Sequence, residues 1–249
     1  MATARRVSEG DRTKVLFILD AFPDPHAGTE GQFWLLLNRL DRERFAPSVL
    51  LLRPSPFLQA NLKDTPLEVL NVSRLKSLSG LRRIWSAARR ARKAGFRLAH
   101  IFFNDSAIAF PLPLRLAGLR VIASRRDLGF WYTPGNLPLL RFNARFIDSI
   151  VANCKAVKDV VVAQEHYRAE RVQVIYNGIT RSAPRSHVAA TAPPALPAAA
   201  RTIAIVANLR PLKRIADAIT ALAQLGPDAT DVNLVVVGED LYGDRKSVV

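Results

Sequence analysis

Several short stretches of this 249-residue sequence combine residue types that hold anions or hydroxyl groups with flanks that would present them. The first is Pro23-Asp-Pro-His-Ala-Gly-Thr-Glu-Gly31, which follows an apolar run over 15–22 and precedes a helical pattern over 32–40. Backbone N–H groups around Gly28 and Thr29, helped by the helix dipole, can hold an anion there, with Glu30 beside them for a polar substrate. The spacing is not GxGxxG, which disfavours a nicotinamide cofactor, and a tight turn that needs glycine would read the same way. The second stretch, His100-Ile-Phe-Phe-Asn-Asp-Ser106, puts Asn104, Asp105 and Ser106 at the carboxyl end of a strand, where open α/β sheets collect ligands. Asp105 could orient a hydroxyl or act as acid or base; an acid or serine at that place would equally cap the next helix. His100 belongs to the strand, and a lone histidine supports no metal site.

Ser124-Arg-Arg-Asp127 ends another strand and runs into Phe130, Trp131 and Tyr132. Arg125, Arg126 and Asp127 could bind a hydroxyl-rich or phosphorylated ligand with the aromatics as a wall, or form only local ion pairs. Asn177-Gly178 is first a turn, with Asn177 as a further polar contact. In Asn208-Leu-Arg-Pro-Leu-Lys213, Arg210 and Lys213 stand at a helix entrance, a natural seat for a diphosphate and also the composition of a solvated basic turn. Residues 73–97 carry nine Arg and Lys side chains and no carboxylate. There Leu81, Ile84, Trp85 and Ala88 form an apolar stripe, so the segment packs by one side and offers a cationic face to an anionic membrane surface or to water.

These stretches need strands to end in and helices to follow. Apolar strand candidates recur at 15–22, 48–52, 67–70, 98–103, 119–124, 148–152 and 172–176, with helix-length segments in most gaps, the pattern of an α/β doubly wound parallel sheet. No solenoid-type repeat is present. Residues 1–13 read as a polar tail, 14–180 as a Rossmann-like domain and 181–200 as a Pro/Ala-rich linker. In 201–249 the pattern restarts with strands at 202–207 and 233–237 around a helix at 213–225. Two strands and one helix cannot cover both faces of a parallel sheet, so this second unit is expected to be the opening of a domain whose remainder is absent.

Composition narrows the class further. Hydrophobic residues make up 49% and charged residues 23%, which excludes a disordered or collagen-like chain. The net charge of +15 favours anionic partners without choosing among them. Cys154 is the only cysteine, which excludes an internal disulfide and a cysteine zinc cluster and fits a reducing, cytoplasmic setting. No apolar run reaches the roughly 18 residues of a spanning helix, and the N-terminus lacks the apolar core of a signal peptide. The charge alone would allow a nucleic-acid-binding protein, but no recognisable motif accompanies it, and no specific nucleic acid is expected. A non-catalytic domain that docks on a membrane is the other rival.

In order and spacing, six of these stretches resemble family-4-type glycosyltransferases of the GT-B fold, from Lys14 to Gly238. They are Ala-Gly-Thr-Glu30, Ser-Arg-Arg-Asp127, Ile150-Val-Ala-Asn-Cys-Lys-Ala-Val157, Val174-Ile-Tyr-Asn-Gly-Ile179, Val206-Ala-Asn-Leu-Arg-Pro-Leu-Lys213 and Leu234-Val-Val-Val-Gly-Glu239. The resemblance implies two Rossmann-like domains, the second truncated here. It implies transfer of a sugar, with retention, from a nucleotide-sugar to a glycan, lipid-linked or small-molecule acceptor, in polysaccharide biosynthesis at the inner face of the membrane. It further implies no metal and no cofactor beyond the donor substrate. Gly28 would let backbone approach the donor, while Arg210 and Lys213 would neutralise the departing diphosphate.

Phe102 stands where the family often has histidine, which leaves Asn104 or Asp105 as the catalytic candidates. Asn208 matches the family's usual arginine, Arg214 its usual glycine after the lysine, and Cys154 a helix-capping serine. The family's pair of donor-binding glutamates would lie beyond Val249, so the full-length product is expected to be the enzyme and this chain an inactive fragment.

Overall fold

The computed structural model describes residues 12–23, 25, 28–75, 77–179, 201–209, 211–226 and 231–238. It divides into two compact units, Met1–Thr180 and Arg181–Val249. The linker expected over 181–200 and the tail up to residue 11 lie outside the described residues.

The first unit is built on seven parallel strands: β1 (Thr13–Leu19), β2 (Phe45–Leu51), β3 (Leu67–Val69), β4 (Leu98–Ile101), β5 (Arg120–Arg125), β6 (Ser149–Ala152) and β7 (Val172–Val174). Their order is β3-β2-β1-β4-β5-β6-β7, so the chain winds outward from β1 in one direction and, after β3, returns to β4 and winds the other way. The reversal lies between β1 and β4, which pair in parallel with Phe17 opposite His100. Ligands of such sheets bind outside the carboxyl ends of the strands at that point.

The helices follow from the same winding: α1 (Gly28–Arg39), α2 (Pro56–Asn61), α3 (Leu78–Lys93), α4 (Asn104–Ala109), α5 (Pro111–Leu116), α6 (Leu137–Asn143) and α7 (Lys155–Glu165). Residues Val15 to Leu19 of β1 are buried on both faces, which is why this strand reads as an unbroken apolar run. Val15, Phe17 and Leu19 pack with Phe33 and Leu37 of α1. Leu16 and Ile18 join Ile101, Val121, Ala123 and Ile150 in a second cluster that includes Ile84 and Ala88 of α3.

Three sequence expectations change. The first helix starts at Gly28 rather than at residue 32, so Gly28, Thr29 and Glu30 form its first turn instead of a loop. The strand expected over 172–176 stops at Val174; one more bond, from the Ile175 N–H to the Ala152 carbonyl at 2.9 Å, follows before the chain leaves the sheet. The buried side of α3 is Gly80, Ile84, Ala87, Ala88 and Ala91, whereas Leu81 is 42% exposed and Leu78 75% exposed. The small alanines let α3 approach closely, and this rotates the larger residues of the expected stripe outward.

In the second unit, β8 (Arg201–Val206) pairs in parallel with β9 (Val232–Val237), and a 3-10 turn (Pro211–Lys213) leads into α8 (Ile215–Gln224). Gly238 ends β9 so close to β8 that a Cβ on it would lie 1.8 Å from the carbonyl oxygen of Ala207; no other residue fits there. Arg214 takes the left-handed conformation, φ 52° and ψ 37°, and pairs with Asp217. That is backbone territory glycine enters at no steric cost. Among the described residues no helix is long and apolar enough to cross a membrane.

Candidate functional site

The reversal point of the sheet is organised by a residue the sequence analysis did not single out. Asp20, directly after β1, is buried, and it accepts hydrogen bonds from the backbone N–H groups of Asn104 (3.1 Å), Asp105 (2.9 Å) and Ser106 (2.6 Å) and from the Ser106 hydroxyl (2.6 Å). The carboxylate thus satisfies the free donors that open α4, a capping role filled from another strand. Burial pushes the Asp20 carboxyl above its usual value, and the bonds donated by Ser106 and Asp105 pull it back down. Arg53, two residues past β2, donates to Asp105 at 2.7 Å and lies 4.0 Å from Asp20. Asn104, Asp105 and Ser106 are therefore held together at the crevice, with Ser106 buried and Asp105 open to solvent and paired with a cation. Phe103, between β4 and α4, has φ 68° and ψ −178°, a conformation almost confined to glycine. Such strain persists only where the surroundings over-determine it.

A second polar group spans the carboxyl ends of β5, β6 and β7. Arg126 donates to the side-chain oxygen of Asn177, and its own carbonyl accepts from Asn153 Nδ2 at 3.1 Å. Asn153 Oδ1 is enclosed and has no hydrogen-bond partner among the described residues, which leaves an acceptor for a hydroxyl or water. Gly178 is clamped by Gln32: its N–H donates to Oε1 at 2.9 Å and its carbonyl accepts from Nε2 at 2.8 Å. Gln32 sits one turn into α1, so this clamp brings the 175–179 segment to the helix that begins with Gly28, Thr29 and Glu30. A Cβ at Gly28 would meet nothing within 4 Å, so the space beside it is open. Ile175, Tyr176, Leu128 and Phe130 expose much of their apolar surface around this group.

Below it, His100 Nε2 and the Ser124 hydroxyl are 2.9 Å apart, and the imidazole packs against Phe102 with centroids 4.4 Å apart. Burial, aided by the charge of Arg126, pushes the imidazole down to about 3, so it is neutral at ordinary pH.

Other candidates are placed differently. Arg125 is not a ligand-facing guanidinium: alternation along β5 turns it inward, where it makes bonds of 2.6 and 2.9 Å to Glu165, a side chain with 0% exposure. Tyr132 donates to the same Glu165, so it is not part of an aromatic wall. Trp131 also packs on the core, which leaves Phe130, 67% exposed, as the outward ring. The return of Tyr132 requires glycine at 129, where φ is 77° and a Cβ would come within 2.6 Å of the tyrosine ring. Asp127 closes a local turn by accepting from Gly129 N–H at 2.7 Å. In the second unit Lys213 is exposed in the 3-10 turn, and Arg210 lies outside the described residues. Cys154 precedes α7 without a capping hydrogen bond from its side chain. Among the described residues no group of three or more His, Cys, Asp or Glu side chains could hold a metal ion.

Asp20, Asn153 and Arg53 carried one available signal, a polar or charged residue within two positions of the end of a buried strand; Gln32 carried none.

Comparison with known proteins bears on the fold and the family. The family model for Glycosyltransferase Family 4 matches residues 27–182. Among solved structures, the chain is similar to Alr3699/HepE of Anabaena in complex with UDP, with a TM-score of 0.70 and 22% identity over 94% of this chain and 63% of that one. It is also similar to the apo form of the lipopolysaccharide outer core galactosyltransferase WaaB, with a TM-score of 0.66 and 13% identity over 92% and 62%. MurG of Acinetobacter baumannii follows with a TM-score of 0.54 and 12% identity over 90% and 66%. The chain thus spans less than two thirds of the length of these structures. No curated protein sequence matches it significantly. With the family model covering well over half of the sequence, the chain belongs to Glycosyltransferase Family 4 and has the α/β fold of GT-B glycosyltransferases.

Proposed function

We propose that the protein serves in retaining transfer of a sugar from a nucleoside diphosphate sugar to a glycan or lipid-linked acceptor. The observation that carries this reading is the family match over 27–182, the stretch that holds Asn104, Asp105, Arg126, Asn153 and Asn177. The UDP bound to the HepE structure makes UDP-sugars the first donor class to test. In this reading the acceptor lies along the carboxyl edge, with Arg126 and Asn177 contacting its hydroxyls, Asn153 holding the Arg126 backbone from below, and the exposed apolar side chains supporting its ring faces. Asn104 and Asp105 stand nearest the transfer step, and Arg53 holds the Asp105 side chain in place through their hydrogen bond. Gly28 and Thr29 leave room for a substrate at the start of α1. In the second unit, Lys213 with Arg210 offers positive charge to a diphosphate.

A lipid-linked acceptor is supported by the outer side of α3, where Arg82, Trp85, Arg89 and Lys93 line one cationic surface. The test measures nucleoside diphosphate released from a panel of nucleotide sugars by the full gene product, with and without glycan or lipid-linked acceptors. Release stimulated by one acceptor class is expected; failure to bind or consume any nucleotide sugar would overturn the proposal.

A further inference from the structure

The amino-terminal edge of the first unit carries a cationic cavity that the proposed reaction does not use. Its volume is about 480 Å3, within the usual range for small-molecule sites, and its lining includes Arg141, Arg145, His166, Arg168 and Arg171 around the buried Tyr167. The wall is contributed by α6, by the turn Ala144–Phe146 ahead of β6 and by residues 166–171 ahead of β7. Those segments precede their strands, so the cavity opens at the edge opposite Asp20, Asn104 and Asn177.

The cavity is built rather than incidental. Arg141 is held by its Nε donating to the Gln164 carbonyl at 2.8 Å. The floor is fixed by the Tyr167 hydroxyl donating to the Ile147 carbonyl at 3.0 Å. His166, which ends α7, has φ 54° and ψ 36°, and this left-handed turn swings Arg168 and Arg171 back toward α6. The neighbouring acids are engaged elsewhere: Glu165 with Arg125 and Tyr132, and Asp148 with Arg115 and the Val121 N–H. Glu170 does not line the cavity, and Arg145, Arg168 and Arg171 form no ion pair with a carboxylate among the described residues. Four guanidiniums line one hollow with no carboxylate among the described residues to balance them, Arg145 lying over the Phe142 ring, so an anion placed between them is attracted by all four. Their planar forks match tetrahedral oxyanions in bidentate fashion.

We infer that this cavity is an anion site for a phosphate-bearing ligand, separate from the transfer site at the opposite edge. It has room for more than a single phosphate, which favours a diphosphate or a phosphorylated headgroup.

The experiment titrates pyrophosphate into the chain by calorimetry at about 0.15 M salt, where exposed charges are screened beyond roughly 8 Å. Three proteins are compared: wild type, Arg168→Ala/Arg171→Ala, and Arg82→Ala/Arg89→Ala, which removes the same charge from α3. Saturable binding weakened about tenfold or more by the cavity variant, and left within about twofold by the α3 variant, is expected. Equal weakening in both would reduce the effect to net charge and overturn the site. Vesicles of phosphatidylglycerol in phosphatidylcholine separate the two sources. Cosedimentation lost only in the cavity variant, with no pyrophosphate binding, assigns the site to a lipid headgroup. Absence of both kinds of binding overturns it. Circular dichroism checks that the substituted side chains, which are exposed, leave the fold intact. None of these readouts involves a nucleotide sugar, so this test and that of the transfer reaction fail independently.

Discussion

Arg126 and Asn177, 51 positions apart in the chain, meet side chain to side chain and thereby join the end of β5 to the segment that leaves β7. Between them, at the end of β6, Asn153 holds the Arg126 carbonyl and keeps its own oxygen unpartnered. Three neighbouring strand ends thus share one polar floor. Replacing either Arg126 or Asn177 by Ala is expected to raise the acceptor KM about tenfold with a smaller effect on kcat, and the double variant to show coupling of about 0.5–3 kcal/mol. Arg126→Lys does not rescue, since an ammonium lacks the planar fork. Steady-state kinetics across the acceptor series measures this; wild-type KM values in both single variants would remove the pair from the acceptor site.

Asp20→Ala removes one acceptor from four donors at the start of α4 and leaves Arg53 with Asp105 alone. Orphaned buried donors are costly, so a stability loss of about 2–4 kcal/mol is expected in denaturant titration. Asp20→Asn, which keeps an oxygen, should lose less. Equal losses in the two variants would show that the charge, and not the hydrogen-bond count, holds the turn.

Arg125→Ala leaves Glu165 buried without its counter-charge, a change expected to cost about 3–5 kcal/mol. The double variant Arg125→Met/Glu165→Leu removes both charges at similar volume and is expected to recover most of that loss. Thermal melts of the two proteins decide it. A substrate-binding arginine would show the reverse, normal stability with impaired kinetics.

His100 sets an acid limit on the fold. The unfolded imidazole takes up a proton near 6.5, the folded one only at about 3, so between these values the unfolded state binds more protons. Stability is full above pH 6.5 and falls as pH drops toward 3, by up to about 1.4 kcal/mol per pH unit from this group. In His100→Gln, which retains a partner for Ser124, the slope over that window should flatten. Urea titrations at stepped pH test it, and an unchanged slope would assign acid sensitivity to other groups.

The alternation of apolar runs and helical segments was enough to read the parallel sheet, because a strand buried on both faces has no competing pattern. The site was legible only where its residues cluster in sequence, as in Asn104-Asp-Ser106. Asp20 closes its bonds with residues more than eighty positions away, and a single acid after a strand looks the same whether it caps, binds or merely faces water. Arg125 and Arg126 are adjacent and chemically identical; period two assigns them opposite faces but does not say which is inside. The partner that settles it, Glu165, lies in a helix whose polar residues look like ordinary surface. On α3 the alanines outweighed the leucines, since close approach rewards small side chains.

The return of the chain from β3 to the middle of the sheet has a consequence for synthesis. The partner on one side of β1 is complete once residue 51 is made, whereas the partner on its other side is β4, whose residues 98–101 reach the ribosome exit long after β1 has emerged. During that interval an apolar strand presents an unpaired edge, the geometry that recruits foreign strands. The most buried strand of the finished protein is therefore its most vulnerable one while it is being made, and expression yield should depend on how quickly residues 52–97 are translated.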